Sequence, residues 1–136
     1  MYGTSMEPTY HTGAKLAVSQ DISSIKRGQV IVFNYHSKNG PTAELIKRVA
    51  GLPGETISIK NGKILINSVE TVVSPITSVV DSPVGHSKGS PTDMPEVKLG
   101  TNEYFVLGDN TIQSLDSRYI GPINKSDITE LITGII

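Results

Sequence analysis

Thr56-Ile57-Ser58-Ile59-Lys60-Asn61-Gly62-Lys63-Ile64-Leu65-Ile66-Asn67 is the stretch that decides the fold class. Two short isoleucine-rich runs flank Asn61-Gly62, a dipeptide that accepts the left-handed backbone of a tight hairpin turn. The spacing predicts antiparallel strands over Thr56 to Lys60 and Lys63 to Asn67. Outward from this hairpin, runs of the same texture recur at Lys15 to Val18, Gln29 to Tyr35, Ala43 to Val49 and Glu103 to Leu107. Turn signals separate them at Lys26-Arg27-Gly28, Lys38-Asn39-Gly40-Pro41 and Gly51-Leu52-Pro53-Gly54. Helix support is confined to one turn over Asp21 to Ile25 and one over Lys125 to Leu131, the second capped by Asn124 or Ser126. The expected fold is therefore mostly β.

Residues 68 to 100 differ in texture. Pro75, Pro83, Pro91 and Pro95 stand there among many Ser, Thr, Val and Gly, and no amphipathic period is sustained. This reads as a loop-rich insertion with one or two edge strands.

Composition bounds the function. A chain of 136 residues forms one compact unit and can bury a real core. Net charge is -1, from 12 Lys+Arg against 13 Asp+Glu, and no basic stripe alternates with aromatics, so no nucleic-acid partner is expected. The lack of cysteine excludes disulfides, thiol nucleophiles and thiolate metal sites. His11, His36 and His86 are widely spaced without a paired-ligand pattern, so neither a metal nor another cofactor is expected. No apolar run approaches the roughly 18 to 20 residues that span a bilayer. Val30-Ile31-Val32-Phe33 and Ile64-Leu65-Ile66 are of strand size, and the N-terminus lacks a signal-peptide pattern. Met1 stands close before the candidate chemistry at Ser5, and the chain stops in Ile132-Thr133-Gly134-Ile135-Ile136. The expectation is a soluble domain without its anchor.

Two segments carry chemistry. Ser5-Met6-Glu7-Pro8-Thr9 places a hydroxyl in a turn that Pro8 stiffens, with Gly3 permitting close backbone approach. Serine beside Gly and Pro is most often only a turn residue. In this context, however, the Ser5 backbone N–H can face the same carbonyl that its side chain attacks. Ile46-Lys47-Arg48-Val49 places two bases in an apolar strand. Alternation puts Leu45, Lys47 and Val49 on one face and Ile46, Arg48 and Ala50 on the other, so periodicity does not choose between the bases. Chemistry does: arginine stays charged at neutral pH, whereas desolvation lowers a lysine pKa. Ser23 and Lys26 also match a Ser-x-x-Lys pattern, but the Ser-Asp-Asn and Lys-Thr-Gly elements that accompany it are absent. By themselves, Asp109-Asn110 reads as a strand-ending turn and Asp116/Arg118 as a surface ion pair.

Four ordered blocks carry a family resemblance. They are Gly3-Thr4-Ser5-Met6-Glu7-Pro8-Thr9, Lys26 to Phe33, Ile46 to Glu55, and Gly108-Asp109-Asn110 with Ser114-Leu115-Asp116-Ser117-Arg118-Tyr119-Ile120-Gly121. Together they resemble the type I signal peptidases, membrane-anchored Ser/Lys endopeptidases that remove signal peptides from exported proteins. The resemblance implies an antiparallel catalytic β core over 1–60 and 101–136, with a small cap over 61–100. It implies Ser5 as nucleophile and Lys47 as general base. Ser114 would orient the lysine amine, Asp116 and Arg118 would form a structural ion pair, and Asp109 would be a supporting carboxylate. Gly3 stands where some members carry a serine, so oxyanion stabilisation falls to the Ser5 backbone N–H.

The resemblance further implies a substrate extended beside Glu44-Leu45-Ile46, with Met6, Tyr10, Leu16 and Ile46 forming shallow pockets for small residues, typically alanine. The expected partners are preprotein signal peptides and a membrane surface. The expected location is the outer face of a bacterial cell membrane. Gln29, Thr111 and Leu45 depart from the usual acid, arginine and aromatic of their blocks, and none removes a catalytic atom. Two rivals are a self-cleaving SOS-type repressor, which should carry its own scissile segment and usually a DNA-binding domain, and a non-catalytic binding module on the same scaffold.

Overall fold

The computed structural model describes residues 5–38, 40–76, 79 and 93–136. Among the described residues ten strands run in chain order: β1 (Leu16–Ser19), β2 (Val30–His36), β3 (Thr42–Gly51), β4 (Thr56–Lys60), β5 (Lys63–Ile66), β6 (Val69–Glu70), β7 (Met94–Lys98), β8 (Glu103–Leu107), β9 (Ile123–Asn124) and β10 (Ile128–Ile135). A one-turn helix, α1 (Ser117–Ile120), precedes β9. The strands form a six-stranded sheet ordered β1-β10-β2-β3-β8-β9 and a four-stranded sheet ordered β6-β5-β4-β7. Every pairing is antiparallel.

The hairpin forms as its turn chemistry dictates. Asn61 and Gly62 both take positive φ, 52° and 78°, which matches the right-handed twist of the strands they join. Ile57 then opposes Ile66 and Ile59 opposes Ile64, stacking four isoleucines on one buried face. Because that turn ties β4 to β5, residues 56–60 go with the smaller sheet. The change of sheet therefore falls at Gly51–Glu55. Arg27 fixes this crossover: it donates to the Ala50 carbonyl (2.9 Å) and makes a double contact with Glu55, which in turn accepts from Leu52 N–H (2.7 Å).

Both faces of the central strands are covered, which explains the unbroken apolar run Tyr104-Phe105-Val106-Leu107 in β8. Ala50, Phe105 and Leu107 pack with the isoleucines of the smaller sheet and with Leu99. Val49, Tyr104 and Val106 pack on the opposite side with Ile31, Phe33 and Ile123. An added Cβ at Gly51 would lie 2.8 Å from Leu99, so glycine lets the two layers close.

Two local expectations are corrected. Asp21 to Ile25 does not form a helical turn; the Asp21 carboxylate accepts from both the N–H and the hydroxyl of Ser23, which holds a bend instead. The helical reading of Lys125 to Leu131 holds only for a 3-10 turn at Lys125–Asp127, capped by Asn124 accepting from Ser126 N–H. Ile128 onward is strand, because Ile128 and Leu131 gain burial against Phe33 and Ile31 of β2. Two edge strands, β6 and β7, lie within 68–100, much of which falls outside the described residues.

Candidate active site

Three segments converge where β8 leaves β3. Their pairing extends only over Arg48 to Gly51, so Lys47 is the first residue of β3 beyond it. The turn starting at Ser5 and the loop after Leu107 meet beside that point. The Ser5 carbonyl accepts from Asn110 N–H (2.7 Å), and Tyr10 N–H closes the turn onto the Met6 carbonyl (2.9 Å). Met6, only 1% exposed, anchors the turn in the interior.

Lys47 lies opposite Ile31 in β2 and is 4% exposed. Its Nζ donates to Ser5 Oγ at 2.7 Å. Burial pushes the ammonium down from its ordinary 10.5 to about 8; the Asp116 carboxylate pulls it partly back up and the Arg118 guanidinium pushes it further down. A sizeable neutral fraction therefore exists near physiological pH, and a neutral amine can accept the Ser5 proton along the same short contact.

Behind the dyad lies a buried polar cluster. Asp116 is fully buried, and Oδ2 accepts from the Ser114 hydroxyl (2.7 Å) and Gly108 N–H (3.0 Å). Arg118 binds it with two nitrogens, Nε to Oδ1 (2.9 Å) and Nη2 to Oδ2 (3.0 Å), and also donates to the Thr111 carbonyl (2.7 Å). Asp116 further caps α1 by accepting from Arg118 N–H. The surface ion-pair reading of Asp116/Arg118 is thus replaced by an enclosed pair, with side chains 0% and 6% exposed. Ser114 is fully buried and directs its hydroxyl proton to Asp116. Gly108 is required for this closeness: a Cβ there would lie 2.2 Å from Ser114 Oγ and 2.8 Å from the Ser5 carbonyl oxygen.

Asp109 serves the other side. Its carboxylate receives Arg48 Nε and Nη2, each at 2.8 Å, and the Thr9 hydroxyl. The third Arg48 nitrogen donates to the Gly28 carbonyl (2.6 Å). The structure thus brings Ser5, Lys47, Ser114, Asp116, Arg118 and Asp109 into one region. Gly3 lies outside the described residues.

A cleft of about 580 Å³ opens beside Ser5 and Lys47. Of the residues proposed to form pockets or flank the substrate, Met6, Leu16, Glu44, Leu45 and Ile46 line it and Tyr10 does not. Sequence reasoning missed Val32, Glu130 and Ile132 in its wall. The last two belong to β10, where the β-branched residues of Ile128-Thr129 and Ile132-Thr133 were the available signal for a strand. Among the described residues no helix is long and apolar enough to cross a membrane.

A mostly β framework holding a serine hydroxyl against a desolvated amine has the arrangement of a serine hydrolase in which lysine stands in place of histidine. Residues 1–135 match the family model described as signal peptidase, peptidase S26. The chain is 34% identical over 139 residues to signal peptidase I V of Bacillus subtilis (strain 168), covering 96% of this chain and 80% of that protein. A signal peptidase I of Bacillus amyloliquefaciens is 37% identical over 131 residues, 93% of this chain and 68% of that one. The crystal structure of a signal peptidase I from Enterococcus faecalis V583 aligns with a TM-score of 0.58 at 27% identity, covering 83% of this chain and 97% of that one. The chain belongs to the signal peptidase I (S26) family, a family of serine peptidases.

Proposed function

We propose that this chain is a Ser/Lys endopeptidase that removes N-terminal signal peptides from exported preproteins, cutting after small residues in Ala-x-Ala type sites. The observation that carries this reading is the 2.7 Å contact between Ser5 Oγ and the buried Lys47 Nζ. Neutral Lys47 takes the Ser5 proton as Oγ attacks the scissile carbonyl. Backbone N–H groups, that of Ser5 foremost, hold the oxyanion. The ammonium of Lys47 then donates its proton to the leaving amine, which departs as the C–N bond breaks. Water, deprotonated by Lys47, attacks the acyl ester and releases Ser5.

Ser114 and Arg118 hold Asp116, whose carboxylate acts on the amine through space, while Asp109 supports the strand that carries it. The substrate adds as an extended strand along Thr42 to Lys47, whose edge away from β2 has no strand partner among the described residues. Met6, Leu16, Glu44, Leu45 and Ile46 then border the residues before the cut. The working location is the outer face of a bacterial membrane. We assign residues 1–60 and 101–136 to the catalytic core, its first part ending in β4 of the smaller sheet, and 61–100 to the cap.

The test is cleavage of a preprotein ending its signal in Ala-x-Ala, in detergent or lipid, by the parent and by Ser5→Ala and Lys47→Ala. Cleavage after that alanine by the parent alone is the expected result. Equal cleavage by either variant, or a folded parent that stays inert with lipid present, sinks the reading.

A further inference from the structure

The nucleophile turn and the base strand are joined through one carboxylate. The Asp109 side chain is fully enclosed, and both its oxygens are engaged. Arg48, the residue after Lys47, occupies them with Nε and Nη2 at 2.8 Å. The Thr9 hydroxyl donates to Oδ2 from the other side. The neighbouring Asn110 N–H grips the Ser5 carbonyl at 2.7 Å, so the 109–110 pair holds the turn at both ends, Ser5 and Thr9. Between these grips the turn is closed on itself by the Tyr10 N–H to Met6 carbonyl bond.

We propose that Thr9 is a positioning residue: its hydroxyl, through Asp109, locks the Ser5 turn to the strand that presents Lys47 and so sets the Ser5 Oγ to Lys47 Nζ distance. Thr9 does not line the cleft and touches neither reacting atom in this arrangement. Its role is geometric. Of the substituents on its Cβ, only the hydroxyl reaches the carboxylate, so serine preserves the link and valine removes it with little change in shape. Without the link the turn keeps the Asn110 grip at Ser5 but is released at Thr9, and the hydroxyl swings relative to the amine. Since substrate lies along β3 and not against Thr9, the loss falls on turnover rather than on binding.

This inference rests on the Ser5/Lys47 reading, and its test separates the two. Thr9→Val, Thr9→Ser and Thr9→Ala are compared with the parent in steady-state cleavage of an Ala-x-Ala preprotein, alongside Ser5→Ala and Lys47→Ala, with thermal unfolding recorded for each. Thr9→Val should lower kcat about 10- to 100-fold, as expected for a misplacement on the order of 1 Å, with KM within about twofold. Thr9→Ser should restore parental kcat, and Thr9→Ala should match valine, which decides the matter if valine fails to fold. Parental kcat in Thr9→Val or Thr9→Ala overturns the proposal, as does a serine variant no better than valine or a loss confined to KM. If Ser5→Ala or Lys47→Ala remains active, the underlying dyad reading fails instead.

Discussion

Lys47 and Arg48 are consecutive in one strand and both are withdrawn from water, yet their surroundings are opposite in kind. Arg48 has every guanidinium nitrogen engaged, two on Asp109 and one on the Gly28 carbonyl. Among the described residues Lys47 meets no carboxylate at bonding distance; its amine ends on the Ser5 hydroxyl, and Asp116 acts on it through space. An ion-paired base is held charged and becomes part of the scaffold. A base buried without a bonded carboxylate loses its proton more readily and becomes reactive. Two adjacent positions, alternating across one strand, thus divide support and chemistry between them.

The largest effect expected from this contrast is that of Lys47→Arg. It leaves a cation in place but removes the amine that accepts the Ser5 proton, so cleavage should fall by about 10²- to 10⁴-fold, the range for loss of a general base. A loss of less than tenfold in a preprotein cleavage assay would break the comparison.

The next effect is on pH. The folded Lys47 titrates at about 8 against an ordinary 10.5, so between these values the unfolded chain binds more protons than the native one. Stability contributed at this site therefore rises with pH from about 8 to 10.5. The cost of burying the charge is fully present below pH 8 and amounts to roughly 3 kcal/mol. Lys47→Met should lose that slope in denaturant titrations across the same window. Activity of the parent should climb through a midpoint near 8 and level off above it. A flat activity profile with an unchanged stability slope in Lys47→Met would show that the amine is not desolvated.

The smallest effect is expected for Arg48→Lys. One ammonium replaces a fork that made two bonds to Asp109 and one to Gly28, at a cost of about 1 to 3 kcal/mol in stability for lost charge-assisted bonds. The base survives, so kcat in the folded fraction should stay within about tenfold of the parent, an order-of-magnitude allowance for a small displacement of the strand. Equal losses in Arg48→Lys and Lys47→Arg would mean that the two residues do not divide the work as their surroundings indicate.

Legibility in the sequence followed locality. The Asn61-Gly62 hairpin and the strand Glu103–Leu107 were readable because turn chemistry and an unbroken apolar run act within a few residues. The segment from Ile128 was half misread, because its partners Phe33 and Ile31 lie far off in the chain and local propensity says nothing of them. The burial of Asp116 and Arg118 was hidden for the same reason: an Asp-x-Arg pattern looks alike on a surface and under a sheet.

The sequence alone determined the β class, the hairpin, the four ordered blocks and the chemical argument that lysine rather than arginine serves as base. Only the tertiary structure decided that Lys47 meets Ser5, that Asp109 joins Arg48 to Thr9, and that β10 walls the cleft. These are contacts between segments whose order in the chain carries no distance information. Their geometry exists only once two sheets have packed on a shared core and removed the water that would otherwise separate them.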